Sequence, residues 1–180
     1  VGAGGRDLHN FNTFFRNRPA YRGGAFTATQ IPYIANRTYP PELAGKNYPK
    51  GIPIYAEEEL PRLLDETRPR QVAFSYSDVS HQEVMEKASL VLSRGADFLL
   101  LGPGETMIES RVPTLSVCAV RTGCGKSVIT RKIASLLKKK GLRVSVIRHP
   151  MAYCEFKRVL RFSSMKDIDE EACTIEEREE

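Results

Sequence analysis

The sequence predicts an α/β protein built around a parallel β-sheet. Short apolar or β-branched runs alternate along the chain with amphipathic stretches, and this strand-then-helix order is typical of parallel sheets covered by helices. A glycine-rich run ending in Gly-Lys-Ser at residue 127 joins one such strand to one such helix. With 41% apolar and 27% charged residues, the chain has the composition of a globular protein rather than of a disordered one.

Five strands and three helices are predicted in the first part of the chain. The strands are short apolar runs, at residues 1–5, 24–29, 51–55, 71–76 and 96–101, and we interpret the first as the end of a truncated strand. The helices are predicted from amphipathic spacing, at residues 7–16, 56–66 and 81–94. Ser80 and Glu83 have the spacing of a capping box, so the third helix should begin there.

Proline-rich and glycine-rich segments separate these elements. Residues 31–51 contain four prolines and three tyrosines, which predicts a long loop that is either a functional surface loop or a structural Ω-loop. Residues 102–106 are predicted to form a turn, and Val112-Pro113 opens a second unit. We therefore expect two packed domains, at residues 1–111 and 112–180.

The strongest functional pattern is a phosphate loop at residues 118–127, Cys-Ala-Val-Arg-Thr-Gly-Cys-Gly-Lys-Ser. It lies between a predicted strand at 114–120 and a predicted helix at 128–140, and another strand is predicted at 142–147. Small residues let backbone amides turn toward phosphate oxygens, Lys126 can reach the β and γ phosphates, and Ser127 can ligate Mg²⁺. The predicted nucleotide-binding residues are Thr122, Gly123, Cys124, Gly125, Lys126, Ser127 and Val128.

This loop departs from the standard pattern in two ways. Val120 stands where the first glycine of G-x-x-x-x-G-K-[ST] belongs. No convincing Walker B aspartate follows a later apolar strand, and the acidic residues from Asp167 onward are better explained as a solvated tail. Arg121 is either a second cation for the phosphates or a solvated surface arginine.

Together with this loop, four further segments carry a resemblance to a known family. They are Gly4-Gly-Arg-Asp7, residues 25–30, residues 76–81 and Arg148-His-Pro-Met151. They resemble the predicted P-loop GTPases related to cyclic 2,3-diphosphoglycerate synthetase. The resemblance implies a Rossmann-like amino-terminal domain followed by a P-loop domain, in a considerably longer protein. It also implies ATP-driven closure of a phosphoanhydride on a small phosphorylated acid.

Arg121 carries a second resemblance. It is similar to the lysine in the deviant P-loops of the signal-recognition and MinD-like (SIMIBI) class. If Arg121 acts across a symmetric interface as that lysine does, a homodimer is expected. The predicted loop, helix and strand that end in Val146-Ile-Arg-His149 are also similar to the GTP-binding protein B of molybdopterin guanine dinucleotide synthesis, so GTP and ATP both remain open as the nucleotide.

A weaker anion site is predicted near the start of the chain. Gly2, Gly4 and Gly5 resemble a dinucleotide-binding turn, but Asp7 occupies the last glycine position of G-x-G-x-x-G. We therefore favour a tight turn over a turn that binds NAD(P): either one that once bound a nucleotide or one that binds another anion through Arg6, beside Gly4 and Gly5.

The distribution of charge favours a polyphosphate as partner. Residues 1–112 contain 13 basic and 13 acidic side chains, whereas residues 113–166 contain 13 basic and one acidic. The positive block surrounds the phosphate loop, so we expect a nucleoside triphosphate rather than nucleic acid. No apolar run is long enough to cross a membrane, and four cysteines without a C-x-x-C pair suit a cytoplasmic protein.

Two functions are compatible with these residues. The first is an enzyme, a Mg²⁺-dependent nucleoside triphosphatase or phosphotransferase in which Lys126 and Arg121 stabilise charge on the phosphates and Ser127 holds the metal. The alternative is a regulatory or metallochaperone-like switch that turns over slowly. A third interpretation gives the first domain a bound dinucleotide or CoA-like ligand.

Overall fold

Five short β-strands of the described residues form two small sheets. The first sheet has the order β1-β3-β2, from β1 (Phe26–Ala28), β2 (Thr38–Tyr39) and β3 (Ile52–Ala56). In it β1 pairs with β3 in parallel, and β2 pairs with β3 antiparallel. The second sheet pairs β4 (Gln71–Phe74) with β5 (Asp97–Leu100) in parallel. The α/β class predicted from the sequence is confirmed.

The structure is a computed structural model that describes residues 1–2, 5–29, 33–76, 79–120, 123–148, 156, 159–164 and 166–167. The chain forms two units. The first comprises Val1–Glu109 and Met151–Phe156, and the second comprises Ser110–Pro150 and Lys157–Glu180. All five strands lie in the first unit.

Val1 and Gly2 lie between the two sheets and bond to both. The Val1 nitrogen donates to the Ala73 carbonyl at 2.8 Å, and the Ser75 amide donates to the Val1 carbonyl at 3.0 Å. Val1 thus bonds through its nitrogen and its carbonyl to two residues that lie two positions apart, which is the pattern of a parallel pair. On the other side the Gly2 amide donates to the Thr27 carbonyl at 3.0 Å. Residues 1–2 thus have the strand-like pairing that the sequence predicts for this segment.

Helices and helical turns connect the strands of the first unit. They are α1 (Arg6–Asn10), which continues into a π-helical turn (Phe11–Phe15), α2 (Pro41–Ala44), α3 (Leu60–Thr67), α4 (His81–Leu92), and 3-10 turns at Glu57–Glu59 and Pro103–Glu105. The helix predicted at residues 7–16 therefore changes type at Phe11, because the Arg16 amide bonds five residues back to the Phe11 carbonyl at 2.8 Å. The loop predicted at 31–51 contains β2 and α2.

Aromatic side chains form the centre of the larger core. The Phe11 ring is 3% exposed and makes edge-to-face contacts with Phe26, Tyr39 and Tyr48, with centroids 5.3–6.0 Å apart. Such pairs stabilise by about 0.5–1.5 kcal/mol beyond their burial. This core fixes the π-helical turn against β1 and β3 and so positions α1 beside the sheet.

A second apolar cluster lies under α3 and α4. Its buried members are Leu60, Leu64, Val72, Val91 and Ala96. Because these residues come from both helices and from β4, the cluster holds the two helices against one face of the second sheet. The helical spacing of Leu60 and Leu64 puts both side chains on the same face of α3.

The second unit contains one regular element among its described residues, the helix α5 (Lys126–Lys139). The strands predicted at 114–120 and 142–147 do not form ladders there, and most of their apolar side chains are exposed, Val120 to 90% and Ile147 to 94%. Strands need paired neighbours, whereas a helix satisfies its own backbone. None of the helices in the described part of the chain has the length and apolar character needed to span a bilayer.

Candidate functional site

The described part of the predicted phosphate loop runs directly into helix α5. Gly123 and Gly125 have φ angles of +83° and +80°, the left-handed region that glycine adopts without strain. A Cβ added to either glycine would meet nothing within 4 Å, so backbone conformation rather than space calls for glycine here. Two left-handed glycines separated by one residue turn the chain sharply into the helix.

Lys126 and Ser127 occupy the first turn of α5. The first helical hydrogen bond runs from the Ile129 amide to the Gly125 carbonyl at 3.2 Å, and the Thr130 hydroxyl donates to the Lys126 carbonyl at 2.9 Å. The helix start therefore carries the positive end of the helix dipole close to the Lys126 ammonium. Lys126 is exposed and Ser127 half-buried, so an anion in solvent can approach both.

The charge along α5 is arranged for an anion at its first turn. The helix has no acidic residue in that turn, and Lys138 and Lys139 lie in its last turn, where cations interact favourably with the negative end of the dipole. These lysines stabilise the helix without competing for a ligand at its start. The structure thus brings together Gly123, Cys124, Gly125, Lys126, Ser127 and Val128 at one helix start, while Arg121 and Thr122 lie outside the described residues.

At the predicted anion site of the first unit, the polar side chains bond to other groups of the same unit. Gly5 precedes α1, and the Arg6 guanidinium donates to the Thr106 hydroxyl at 3.2 Å and to the Asn10 side chain at 3.3 Å. His9 contacts the Thr106 carbonyl at 2.6 Å. Thr106 is 1% exposed, so Arg6 and His9 together anchor the 102–106 segment on α1. Gly4 lies outside the described residues.

A buried polar group that the sequence analysis missed lies directly after β3. Glu57 is 5% exposed, and its carboxylate forms an ion pair with the Lys87 ammonium at 2.7 Å, which ties α4 to the end of β3. Burial, and next the neighbouring Glu57 carboxylate, raise the pKa of Tyr76. The Tyr76 hydroxyl accepts a hydrogen bond from the Thr29 amide at 3.0 Å. The position of Glu57 immediately after a predicted strand was the available signal, because carboxyl ends of parallel strands meet at one edge.

Within the described residues, no group of three or more His, Cys, Asp or Glu side chains is placed to hold a metal ion. Cys118 and Cys124 are free and exposed thiols. A hydroxyl such as that of Ser127 is a hard oxygen donor of the kind Mg²⁺ accepts, and Mg²⁺ commonly takes only one or two protein ligands beside phosphates and water. Ser127 therefore fits this ion.

The fold and the glycine-rich helix start define an α/β protein with a loop suited to an anionic group. No protein-family model matches the chain, and no solved structure matches it. The chain is 55% identical over its whole length to the protein named arginine synthetase ArcE of Thermococcus kodakarensis. It spans 41% of the length of that relative. The similarity is therefore to part of a synthetase.

Proposed function

We propose that this chain binds ATP with Mg²⁺ as part of a synthetase that forms arginine. The observation that carries the proposal is the pair of left-handed glycines, Gly123 and Gly125, leading into a helix that begins with Lys126 and Ser127. Backbone amides at such a turn and helix start bind phosphate oxygens. The name of the relative, arginine synthetase, supports the product and the coupling to a nucleoside triphosphate.

The residues of the loop have distinct roles in this proposal. The Lys126 ammonium neutralises charge on the β and γ phosphates, and Arg121 adds a second cation. The Ser127 hydroxyl would hold Mg²⁺, and this ion would supply stabilisation of the charge that develops during phosphoryl transfer. Since no Asp or Glu occurs between Pro113 and Cys154, a carboxylate partner for the metal would come from another part of the protein.

We also propose a Rossmann-like arrangement for the first unit. The hydrogen bonds of Val1 and Gly2 link the sheets in the order β5, β4, residues 1–2, β1, β3, with β2 at the edge. This order agrees with the doubly wound order 3-2-1-4-5 when the parallel segments are numbered along the chain. Such sheets bind ligands outside the carboxyl ends of their strands, where Glu57 and Tyr76 lie.

Nucleotide binding is tested by calorimetric titration of ATP, GTP and ADP, each with and without Mg²⁺. We expect the Lys126→Ala variant to bind ATP at least about tenfold more weakly, because a charge-assisted contact to phosphate is lost. Lys139→Ala removes the same charge from the other end of α5 and should leave ATP affinity within about twofold. Equal affinity in wild type and Lys126→Ala would refute the proposed site. Ser127→Ala should remove the Mg²⁺ dependence, which Ser127→Thr should retain.

The product assignment has its own test. A synthetase that couples ATP cleavage to formation of a bond in arginine can run in reverse, so arginine should be split at that bond into its two precursors as ADP and phosphate form ATP, one ATP for each arginine consumed, while lysine at the same concentration should give no ATP. Tight ATP binding without any dependence of turnover on arginine would retain the nucleotide site and reject arginine as product. The small phosphorylated acid, the homodimer and the use of GTP stay predictions of the sequence.

A further inference from the structure

The carboxyl ends of three strands of the first unit meet where Glu57 lies. Ala28 of β1 pairs with Ala56 of β3 in parallel register, so Thr29 and Glu57 are the next residues of two neighbouring strands. Tyr76 follows the end of β4, and its hydroxyl accepts a hydrogen bond from the Thr29 amide at 3.0 Å. We call this place the Glu57 edge.

The Glu57 carboxylate is paired through one of its two oxygens. Oε1 forms the ion pair with the Lys87 ammonium at 2.7 Å. Oε2 is buried and accepts no hydrogen bond from the part of the chain that the structure describes. A buried acceptor without a donor is costly, and an ammonium binds as a point charge rather than as a pair of fixed donors. Glu57 therefore has the capacity to bind a second N–H group.

The Lys87 side chain marks a path from solvent to this carboxylate. It is 34% exposed, whereas the side chain of Glu57 is 6% exposed, so the ion pair runs inward from the surface. Lys87 has a flexible four-carbon stem and a strongly hydrated ammonium, so it can swing from Glu57 into water. A cation from solution can then reach Glu57 along the same path.

The charge at the Glu57 edge favours a cation as ligand. A second carboxylate, that of Asp7, is 4% exposed, and the negative charges of Glu57 and Asp7 both raise the pKa of Tyr76. The potential at the Tyr76 hydroxyl is therefore negative. A planar guanidinium offers two parallel N–H donors that match both oxygens of a carboxylate, which an ammonium does not.

We propose that the Glu57 carboxylate binds a guanidinium cation through both of its oxygens and that this cation replaces the Lys87 ammonium. Two N–H···O hydrogen bonds form, to Oε1 and Oε2, and the ion pair with Lys87 breaks. The arginine side chain is the guanidinium that we expect here, and this choice of ligand rests on the proposed function, in which arginine is the product. The exchange itself requires only Glu57 and Lys87.

The variant Lys87→Met tests the exchange, because methionine keeps an apolar stem and removes the ammonium. Its melting temperature should fall, since a buried carboxylate loses its cation. Arginine should raise the melting temperature of both proteins. The arginine concentration that gives half of the full rise should be at least about tenfold lower in Lys87→Met than in the wild type, since a tethered competitor is gone. Guanidinium chloride should act like arginine, whereas lysine should act at least about tenfold more weakly.

Two further variants serve as controls. Glu57→Gln combined with Lys87→Met leaves neither charge of the pair, so this double variant should fold and should not respond to arginine. Glu58→Gln changes the exposed neighbour in the same 3-10 turn and should respond as the wild type does. Equal responses to arginine in Lys87→Met and in the double variant would overturn the site, and equal responses to arginine and lysine would overturn guanidinium as its ligand.

All of these titrations omit nucleotide, so they are independent of the phosphate loop. Lys126→Ala should respond to arginine as the wild type does. Failure of the ATP titration would therefore refute the nucleotide site alone, and failure of the arginine titration would refute the Glu57 site alone. A response of Lys87→Met to guanidinium without a response to arginine would overturn the choice of arginine.

Discussion

Replacing Gly51 with alanine should destabilise the first unit far more than the same change at Gly95. Both glycines have left-handed backbones, with φ of +72° and +80°. A Cβ at Gly95 meets nothing within 4 Å, whereas a Cβ at Gly51 would lie 2.4 Å from the Tyr39 carbonyl oxygen and 2.6 Å from the Thr38 methyl carbon. Gly95→Ala therefore isolates the backbone cost, and Gly51→Ala adds a steric one.

The magnitudes follow from these geometries. A left-handed conformation costs an alanine about 1–2 kcal/mol. Because alanine gives the unfolded chain less conformational freedom than glycine does, about 0.4–1 kcal/mol of that cost is offset. We expect Gly95→Ala to cost about 1 kcal/mol on this basis. At Gly51 the clash is with backbone, which cannot rotate away, and overpacking adds about 1–3 kcal/mol. The total for Gly51→Ala is about 3 kcal/mol.

Urea unfolding followed by tyrosine fluorescence measures the difference. The chain has no tryptophan, and six of its seven tyrosines precede residue 80, so the signal reports on the first unit. The midpoint for Gly51→Ala should fall well below that for Gly95→Ala, with the slope unchanged. A loss at Gly51 no larger than at Gly95 would refute the close approach of β3 to β2 from which the prediction is derived.

Two further predictions concern α4 and the edge of the sheet. Ser80→Ala should lower the free energy of unfolding by about 1 kcal/mol, because it removes the helix cap. The pKa of Glu83 is held low first by the Ser80 amide and then by the Ser80 hydroxyl. In an NMR titration of Ser80→Ala this pKa should rise only partway, because the amide still donates to the Glu83 carboxylate at 2.8 Å. Tyr76→Phe should make the free energy of unfolding less dependent on pH in alkaline solution. The pKa of Tyr76 is raised in the folded state, so the contribution of Tyr76 to the free energy of unfolding is complete below about pH 10 and is lost as the pH rises toward the folded pKa. An equally steep alkaline loss in Tyr76→Phe would contradict this assignment.

Elements with strong local signals were predictable from the sequence. The capping box of α4 is present as expected, since the Ser80 hydroxyl accepts from the Glu83 amide at 3.2 Å while the Glu83 carboxylate accepts from the Ser80 amide. The strands β4 and β5 lie inside the predicted ranges, and α5 begins two residues before its predicted start. Each of these elements has a periodic apolar pattern or a cap within its own residues.

Features that depend on distant residues were not predictable. Glu57 lies in the first turn of the helix predicted at residues 56–66, but it is buried against Lys87, thirty positions later in the chain. In the same way, Arg6 looked available for an anion, and its partner Thr106 is a hundred residues away. The sequence shows that Glu57 and Arg6 carry charge, but only the fold shows which groups they bond to.

The same distinction explains why the predicted phosphate loop has its turn and helix start although the strands predicted on either side of it do not pair in the described residues. The φ angles of Gly123 and Gly125 and the first hydrogen bonds of α5 are set by residues within one helical turn. Residues 114–120, in contrast, can form a strand only beside another strand. The proposed phosphate binding through the amides and the Lys126 ammonium needs only the local part, so it should depend on Lys126 and on the two glycines more than on Leu115 or Ile147. If the proposed synthetase function is correct, coupling of that binding to synthesis would require the loop to be positioned against a second substrate, and this is the step for which a paired sheet would matter.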